Sequence, residues 1–244
     1  MGDYLKLFET DNDRLTYEEG ESYIEPYVSY VEGDNSVHYN KPKETRVVAV
    51  FNVTDTINPT NIMHPSGTSQ FSEIEIDGVV QPTVVNIFTF DTLGEHTVKY
   101  TLSDPTSIGN TAFSYCVSLS SIIIPNSVTS IGDGAFGNCS GLTSVTISDT
   151  VTSIGISAFG SCNGLTSAVI GSGVTSIGNN AFAGCINLFT ITSHIMNAPS
   201  VNAGTFASVK NGGTLYVPIG SSGYETWMND QGNLGSYNWT KVEQ

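Results

Sequence analysis

Apolar residues recur at a fixed period of 23 residues through the second half of the chain. Four successive segments align without a gap, beginning at Thr106, Thr129, Thr152 and Thr175. Each carries Ile-Gly, Ala-Phe, Cys and Leu at the same places. Self-similarity at this period is typical of repeat proteins, in which one structural unit stacks on the next.

One repeat has the apolar pattern of a strand followed by a short connecting segment. In the second repeat, Leu142, Val145 and Ile147 follow the LxxLxL spacing of a strand that lines a solenoid core. Ala135 and Phe136 are expected to fill the core from a brief helical or 3₁₀ turn. Because one repeat cannot bury its apolar side alone, we expect neighbours to stack about 4.8 Å apart and make the core continuous.

The period degrades after Asn197, as expected for the end of an array. Phe206 falls 24 residues after Phe182, and three extra residues precede the next predicted strand. We expect residues 218–244 to form a cap that combines a short helix with a last strand. The predicted cap residues are Tyr224, Trp227 and Met228 on the helix, and Trp239 and Val242 in the strand.

Upstream of the repeats, residues 46–104 alternate apolar and polar side chains in four predicted strands. The pairs Asp77-Gly78 and Leu93-Gly94 are turn signals between them. This pattern favours a small antiparallel, immunoglobulin-like sandwich, joined rigidly to the first repeat by a short linker. Residues 1–45 are acidic and rich in tyrosine. Within them we predict a strand at residues 4–8 and a short helix or loop near residues 15–24.

The composition supports a mainly β protein with several parts. Charged residues are 13% of the chain, while glycine, serine, threonine and asparagine are plentiful. The predicted organisation is an acidic segment at 1–45, a β module at 46–104, a solenoid at 105–217 and a cap at 218–244.

The net charge of −15 is concentrated in the N-terminal part of the chain. Residues 1–104 carry 18 acidic and 6 basic side chains, whereas residues 105–244 carry 5 and 2. Nucleic acids and anionic membranes both need clustered Lys and Arg, so we expect neither as a partner. The chain has no apolar run long enough to span a bilayer, and its start lacks a secretion-signal pattern. Either a signal has been removed, or export by that route is not used.

The repeat pattern Ile-Gly-x-x-Ala-Phe-x-x-Cys-x-x-Leu-x-x-Val/Ile-x-Ile resembles the BspA-like leucine-rich repeats of surface proteins from gut and oral bacteria. The resemblance covers roughly residues 105–217, and the flanking segments resemble those of proteins from Bacteroides-type organisms and their phages. It implies a short leucine-rich-repeat solenoid and a role in adhesion to host matrix proteins or other cells. The missing signal sequence keeps a phage virion protein as an alternative.

The four cysteines occupy one phase of the repeat. They are Cys116, Cys139, Cys162 and Cys185. A ladder of this kind spreads its sulfurs along a line, whereas tetrahedral zinc needs convergent ligands. Val209 follows Phe206 at the same phase in the degenerate repeat, and valine replaces a small buried side chain but not a ligand. We therefore favour buried packing thiols over a metal site or disulfides.

Other candidate chemistry is weaker. His38, His64, His96 and His194 are scattered, without a neighbouring nucleophile pattern. The acidic residues between Asp11 and Glu21 lack the glycine and closing glutamate of an EF-hand loop, which favours a solvated loop over a calcium site. No glycine-rich segment precedes a Lys as in a phosphate loop. We predict no cofactor and no metal.

The exposed side of the predicted strands is the candidate ligand surface, because its hydroxyl groups and scattered apolar side chains suit adaptable contact with protein or glycan. The alternative is that Thr and Ser are there because they favour strands and solubility. The candidate residues are Ile123, Thr143, Thr146, Thr166, Val169, Phe189 and Thr192.

The predicted function is non-enzymatic recognition or adhesion, at a cell surface, a virion surface or in the extracellular space. A virion fibre, decoration or host-attachment protein is the first alternative, and a glycan-active enzyme is the second. A glycan hydrolase needs two converging carboxylates. The acidic residues of the repeat half and cap are too dispersed to favour such a pair: Asp133, Asp149, Glu225, Asp230 and Glu243.

Overall fold

The computed structural model describes residues 46–202, 204–229 and 232–244, together with the backbones of two short strands, β1 (Val28–Tyr30) and β2 (Val37–Tyr39). These two strands pair antiparallel within one compact unit, Met1–Lys43, and Glu44–Gln244 form the other unit. The strand predicted at residues 4–8 and the helix or loop predicted near 15–24 lie outside the described residues.

The strands that precede the repeats form two small sheets. Their bounds are β3 (Arg46–Val53), β4 (Thr60–Asn61), β5 (Phe71–Ile76), β6 (Val79–Val80), β7 (Ile87–Phe88) and β8 (Gly94–Leu102). Strands β3, β8, β5 and β6 pair antiparallel in this order, and β4 pairs with β7. Alternation along β3 buries Val47, Ala49, Phe51 and Val53 on one side of the sheet, as the sequence pattern predicts.

The predicted immunoglobulin-like sandwich is not confirmed. On its outer side β3 pairs antiparallel with β10 (Leu119–Ile123), a strand of the first repeat, so the module shares its main sheet with the array. The buried side is covered by the segment around Ile62, whose carbonyl accepts a 2.6 Å hydrogen bond from the Tyr100 hydroxyl. The edge strand therefore finds its partner in the repeats and not in a second sheet of its own.

The repeats form a solenoid with two parallel sheets, which confirms the mainly β fold with stacked repeats. The first sheet contains β9 (Ser107–Ile108), β11 (Ser130–Ile131), β13 (Ser153–Ile154) and β15 (Ser176–Ile177). The second contains β12 (Ser144–Ile147), β14 (Ser167–Ile170), β16 (Thr190–Ser193), β17 (Thr214–Val217) and β18 (Thr240–Glu243). Within these two sheets, strand partners up to β16 are 23 residues apart, so one repeat adds one strand to each sheet.

The Ala-Phe segments form hydrogen-bonded turns and not a continuous helix. Bonds between residues three apart close these turns, such as that from the Gly137 N–H to the Gly134 carbonyl at 2.9 Å. The Phe113 N–H donates to the Ala135 carbonyl of the next repeat at 2.7 Å, and the Phe136 N–H donates to the Ala158 carbonyl at 2.7 Å. A helix would direct these N–H groups to carbonyls within the same segment. Bonding to the next repeat instead makes the turns a third ladder along the array.

One column of phenylalanine rings runs through the core. Neighbouring ring centroids are 5.1–5.6 Å apart and the rings are inclined by 2–11°. Each ring is fully buried, so the column contributes apolar burial as well as aromatic contact. Its members are Phe113, Phe136, Phe159, Phe182 and Phe206.

Aromatic side chains close both ends of the column. At the N-terminal end, Phe71 and Tyr100 contact Phe113 at 5.5 and 5.1 Å. At the C-terminal end, Trp227 from α1 (Glu225–Asn229) packs on Phe206 at 5.3 Å, and its indole N–H donates to the Pro199 carbonyl. A 3₁₀ helix (Leu234–Tyr237) follows α1. Trp227 of the tail therefore lies against the last ring of the column.

The cysteine ladder is buried, and its thiols are free. Thiols at three successive positions each donate to the phenylalanine carbonyl of the preceding repeat; for Cys139 and Phe113 the distance is 3.0 Å. Burial raises the pKa of the Cys139 thiol to about 12. Val209 is 5% exposed at the equivalent place. The thiols therefore pack as small core side chains and also satisfy a backbone acceptor.

Replacing Cys139 by valine is expected to lower the free energy of unfolding by less than about 1.5 kcal/mol, the range for volume-conserving core substitutions. Replacing it by aspartate would bury a charge and should unfold the array locally. Chemical denaturation measures both changes. Rapid labelling of the native protein by a thiol reagent, or stoichiometric bound zinc, would contradict the assignment of these cysteines to the core.

Candidate binding surface

The candidate ligand residues lie on one continuous surface, which we call the outer strand face. It is formed by the outward side chains of β10, β12, β14, β16, β17 and β18 and by the residues that immediately precede β12, β14 and β16. Backbone bonding continues from β10 to the array, because the Thr143 N–H donates to the Ser120 carbonyl at 3.3 Å. Its members are Ser121, Ile123, Thr143, Ser144, Thr146, Thr166, Ser167, Val169, Phe189, Thr190, Thr192, Thr214, Tyr216, Thr240 and Val242.

Four of the seven predicted residues fall in one row across this face. Thr146, Val169 and Thr192 are direct partners in neighbouring strands, and the row continues to Tyr216. Ile123 has the same phase one repeat earlier and is 58% exposed. Since β12, β14, β16 and β17 are paired in register, the side chains from Thr146 to Tyr216 follow one another at the spacing of the sheet, about 4.8 Å. The row alternates apolar and hydroxyl-bearing side chains.

Two of the predicted threonines have a structural role. The Thr166 hydroxyl donates to the Thr143 carbonyl at 3.0 Å, and the Thr143 hydroxyl donates to the Ser120 carbonyl at 3.4 Å. Thr146 makes no side-chain hydrogen bond within the described residues. The hydroxyl groups on this face therefore differ in their availability to a ligand, although the sequence pattern presents them as equivalent.

Phe189 occupies the same phase as Thr143 and Thr166 and is 43% exposed. The Lys210 ammonium lies 5.1 Å from the centre of its ring, within the range of a cation–π contact. This residue is the only Lys or Arg between residues 105 and 217. Phe189 and Lys210 together form an apolar and cationic feature at the margin of a surface that is otherwise uncharged.

Sequence reasoning missed Tyr216, a member of the outer strand face, and Val48, which lies beside that face. Tyr216 is the strand partner of Thr192. It lies between the apolar residues Leu215 and Val217, and this alternation is the sequence signal that could have placed Tyr216 on the outward side. Val48 of β3 lies directly opposite Ile123. Nothing in the local pattern reveals that pairing, because it joins segments 75 residues apart.

The carboxylates of the repeats bind backbone groups. Asp133 accepts the Ile156 N–H at 2.6 Å, and Asp149 accepts the Ser172 N–H at 2.6 Å. The bond from Ser172 lowers the pKa of Asp149 below its usual range. Both carboxylates therefore stabilise the contact between successive repeats, and neither is arranged as a partner of the other.

Two of the described histidines, His96 and His64, have structural contacts. The His96 ring bonds to Asp77 at 2.6 Å and to the Thr92 carbonyl at 2.9 Å. Burial disfavours protonation, but these bonds raise the pKa of His96 above its ordinary value. His64 accepts the Ser66 N–H at the start of a 3₁₀ helix. Within the described ranges, no three His, Cys, Asp or Glu side chains gather as metal ligands.

The family follows from the repeats. Residues 102–222 match the model of the BspA type leucine rich repeat region in six copies. The chain is a BspA-like leucine-rich-repeat protein. The match extends beyond the four gap-free copies and the degenerate fifth that the sequence pattern reveals. Leucine-rich-repeat domains generally mediate protein binding and are generally not enzymes, and BspA-like proteins are typically surface-associated.

One solved structure is similar to part of this chain. The crystal structure of a leucine-rich repeat protein from Bacteroides ovatus is 21% identical, with a TM-score of 0.32. The alignment covers 81% of the BspA-like chain and 47% of the Bacteroides protein, so our chain spans about half the length of that relative. A comparison with curated proteins found no match. Among the described helices, none is long and apolar enough to cross a membrane.

Some threonines of the outer strand face donate a side-chain hydrogen bond to the preceding repeat, and Thr146 does not within the described residues. Mutation can distinguish these two groups. Thr166→Val should lower the free energy of unfolding by about 1 kcal/mol, because the Thr143 carbonyl loses a hydrogen bond. The matched change Thr146→Val removes no hydrogen bond within the described residues and should leave stability nearly unchanged. Denaturant titration of both variants measures the difference; equal losses would show that the Thr166 bond contributes nothing.

Proposed function

We propose that this chain is a non-enzymatic recognition and adhesion protein whose outer strand face binds a protein on the surface of a host or another cell. The observation that carries the proposal is the row from Ile123 to Tyr216, in which apolar and threonine side chains alternate. Thr146 to Tyr216 are in register on one paired sheet, and Ile123 has the same phase in β10. Such a surface combines apolar contact area with hydroxyl donors and acceptors.

The backbone supports binding because it is ordered before a ligand arrives. Strands β14, β16 and β17 are each hydrogen-bonded to a neighbour on both sides, and the apolar side chains beneath them are buried. β-Branched and aromatic side chains on such a sheet have few rotamers to lose on binding. Less conformational entropy is therefore lost when a ligand binds.

The apolar residues are the proposed anchors. Ile123, Val169, Phe189 and Tyr216 interrupt a surface of small hydroxyl-bearing side chains, and the first and third are among the exposed large apolar residues of the chain. Binding energy in protein interfaces is concentrated in a few buried apolar and aromatic contacts, with polar groups around them. The lack of carboxylates on this face allows an acidic or a neutral partner surface to approach.

We place the protein outside the cell, at a cell surface or at a virion surface. The surface association that is typical of BspA-like proteins supports this location. A virion structural role, a glycan ligand and a glycan-active enzyme remain predictions from the sequence. The Asp133 and Asp149 contacts with backbone N–H groups give no support to a hydrolase.

Binding of the full chain to immobilised extracellular matrix proteins and to cell-surface protein fractions tests the proposal. Ile123→Ser should weaken binding by about 10-fold or more, as expected for the loss of one apolar anchor. Surface plasmon resonance gives the dissociation constant for each variant.

Ile156→Ser is the matched control. Ile156 is 51% exposed, close to the 58% of Ile123, but it lies beside the other parallel sheet. Its substitution should leave binding unchanged. An equal loss of affinity in both variants, or a loss in Ile156→Ser alone, would place the binding surface elsewhere.

A further inference from the structure

The last strand of the outer strand face has an open edge. β18 pairs with β17 on one side, and in the described part of the chain no strand pairs with its other side. An open edge presents a row of backbone donors and acceptors that can pair with a further strand.

The backbone of β18 fixes which residues are available for pairing. The Thr240 N–H donates to the Gly213 carbonyl at 2.9 Å, and the Gln244 N–H donates to the Val217 carbonyl at 3.0 Å. Because alternate residues of a strand direct their backbone groups to opposite sides, the groups of Lys241 and Glu243 point to the open edge.

This alternation restricts the registers in which two copies of β18 can pair antiparallel. In a hydrogen-bonded pair of opposite residues, both residues must direct their backbone groups to the shared edge. The central registers that satisfy this condition place Lys241 opposite Lys241, Glu243 opposite Glu243, or Lys241 opposite Glu243. The first two oppose like charges, which is destabilising, and the third opposes unlike charges.

We propose that β18 is a self-complementary dimerisation strand that pairs antiparallel with β18 of a second copy of this chain. The two-fold axis passes beside Val242, so Lys241 of each copy lies opposite Glu243 of the other. Each of these pairs exchanges both backbone hydrogen bonds. Within one copy, the Lys241 Nζ and the Glu243 Oε1 already lie 3.1 Å apart on the same side of the strand. The dimer therefore brings two such ion pairs together.

Charges on an edge strand usually discourage pairing with other chains. In β18, the positions of Lys241 and Glu243 disfavour two of the antiparallel registers and favour the third. Val242, which is 37% exposed, lies at the centre of the favoured register and would contact its own counterpart. The edge is therefore protected against indiscriminate pairing but complementary to itself.

Dimerisation of this kind would double the outer strand face. Antiparallel pairing about a two-fold axis perpendicular to the sheet keeps the outward sides of both five-stranded sheets on the same surface. Two ligand surfaces would then face the same direction. Binding to a surface that displays many ligand copies would gain from this arrangement, since the second contact becomes intramolecular.

Light scattering after size-exclusion chromatography tests the proposal on the full chain. With the protein loaded at about 1 µM to about 1 mM, the range that detects weak to moderate association, the mass should rise from 25.9 kDa to twice that value. Lys241→Glu should weaken dimerisation by about 10-fold or more, because it opposes carboxylates in the favoured register. Glu243→Lys should do the same.

The double variant Lys241→Glu, Glu243→Lys restores opposite charges in the same register and should restore the dimer. Lys210→Glu makes the same change of charge away from this edge. This variant should show the same dimer mass as the wild-type chain. Circular dichroism checks that each variant is folded. A wild-type mass of 25.9 kDa at every concentration would overturn the proposal, and so would a dimer that survives both single changes or is not restored by the double one.

Discussion

The structure depends on the contact between each repeat and its two neighbours. A single repeat offers the core one phenylalanine, one cysteine and a few aliphatic side chains, and none of these is buried without the repeat above and below. Burial of one phenylalanine contributes about 1.5–3 kcal/mol, and stacking against another ring adds about 0.5–1.5 kcal/mol. The column from Phe113 to Phe206 repeats this contribution at every step, so the array is stable when both of its ends are covered.

The outer strand face is a consequence of this stacking. Because the same positions must face the core in every repeat, the positions between them face solvent in straight rows across the sheet. Core positions are restricted to small and apolar residues by their neighbours, whereas the outward positions are free to vary. Ile123, Val169 and Tyr216 are such variations in a row that otherwise holds threonine, which is why we assign the recognition function to them.

The sequence alone was sufficient for the features that repeat. The period of 23 residues predicted the core column and the parallel strands, and the position of Val209 predicted that the cysteines are core residues. Tyr224 and Trp227 led us to expect a C-terminal cap, because large apolar side chains that follow a degenerate repeat can be buried against the end of the core. All of these inferences rest on local spacing.

The features that sequence reasoning missed depend on distant or backbone contacts. The pairing of β3 with β10 replaced the expected sandwich, and no local signal encodes which edge strand meets which. The N–H groups of Phe113 and Phe136 bond to the next repeat, so the Ala-Phe turns do not continue as a helix. Thr143 and Thr166 resemble Thr146 in the sequence, yet the geometry of the preceding carbonyl gives their hydroxyl groups a structural partner.

The dependence of each repeat on its neighbours is tested most directly by amide hydrogen exchange in Trp227→Ala. This change uncovers Phe206 at the end of the column. The account predicts that protection falls most in β17, less in β16 and β14, and hardly at all in β11, because the loss passes from neighbour to neighbour. An unchanged exchange pattern, or an equal loss in every repeat, would contradict it.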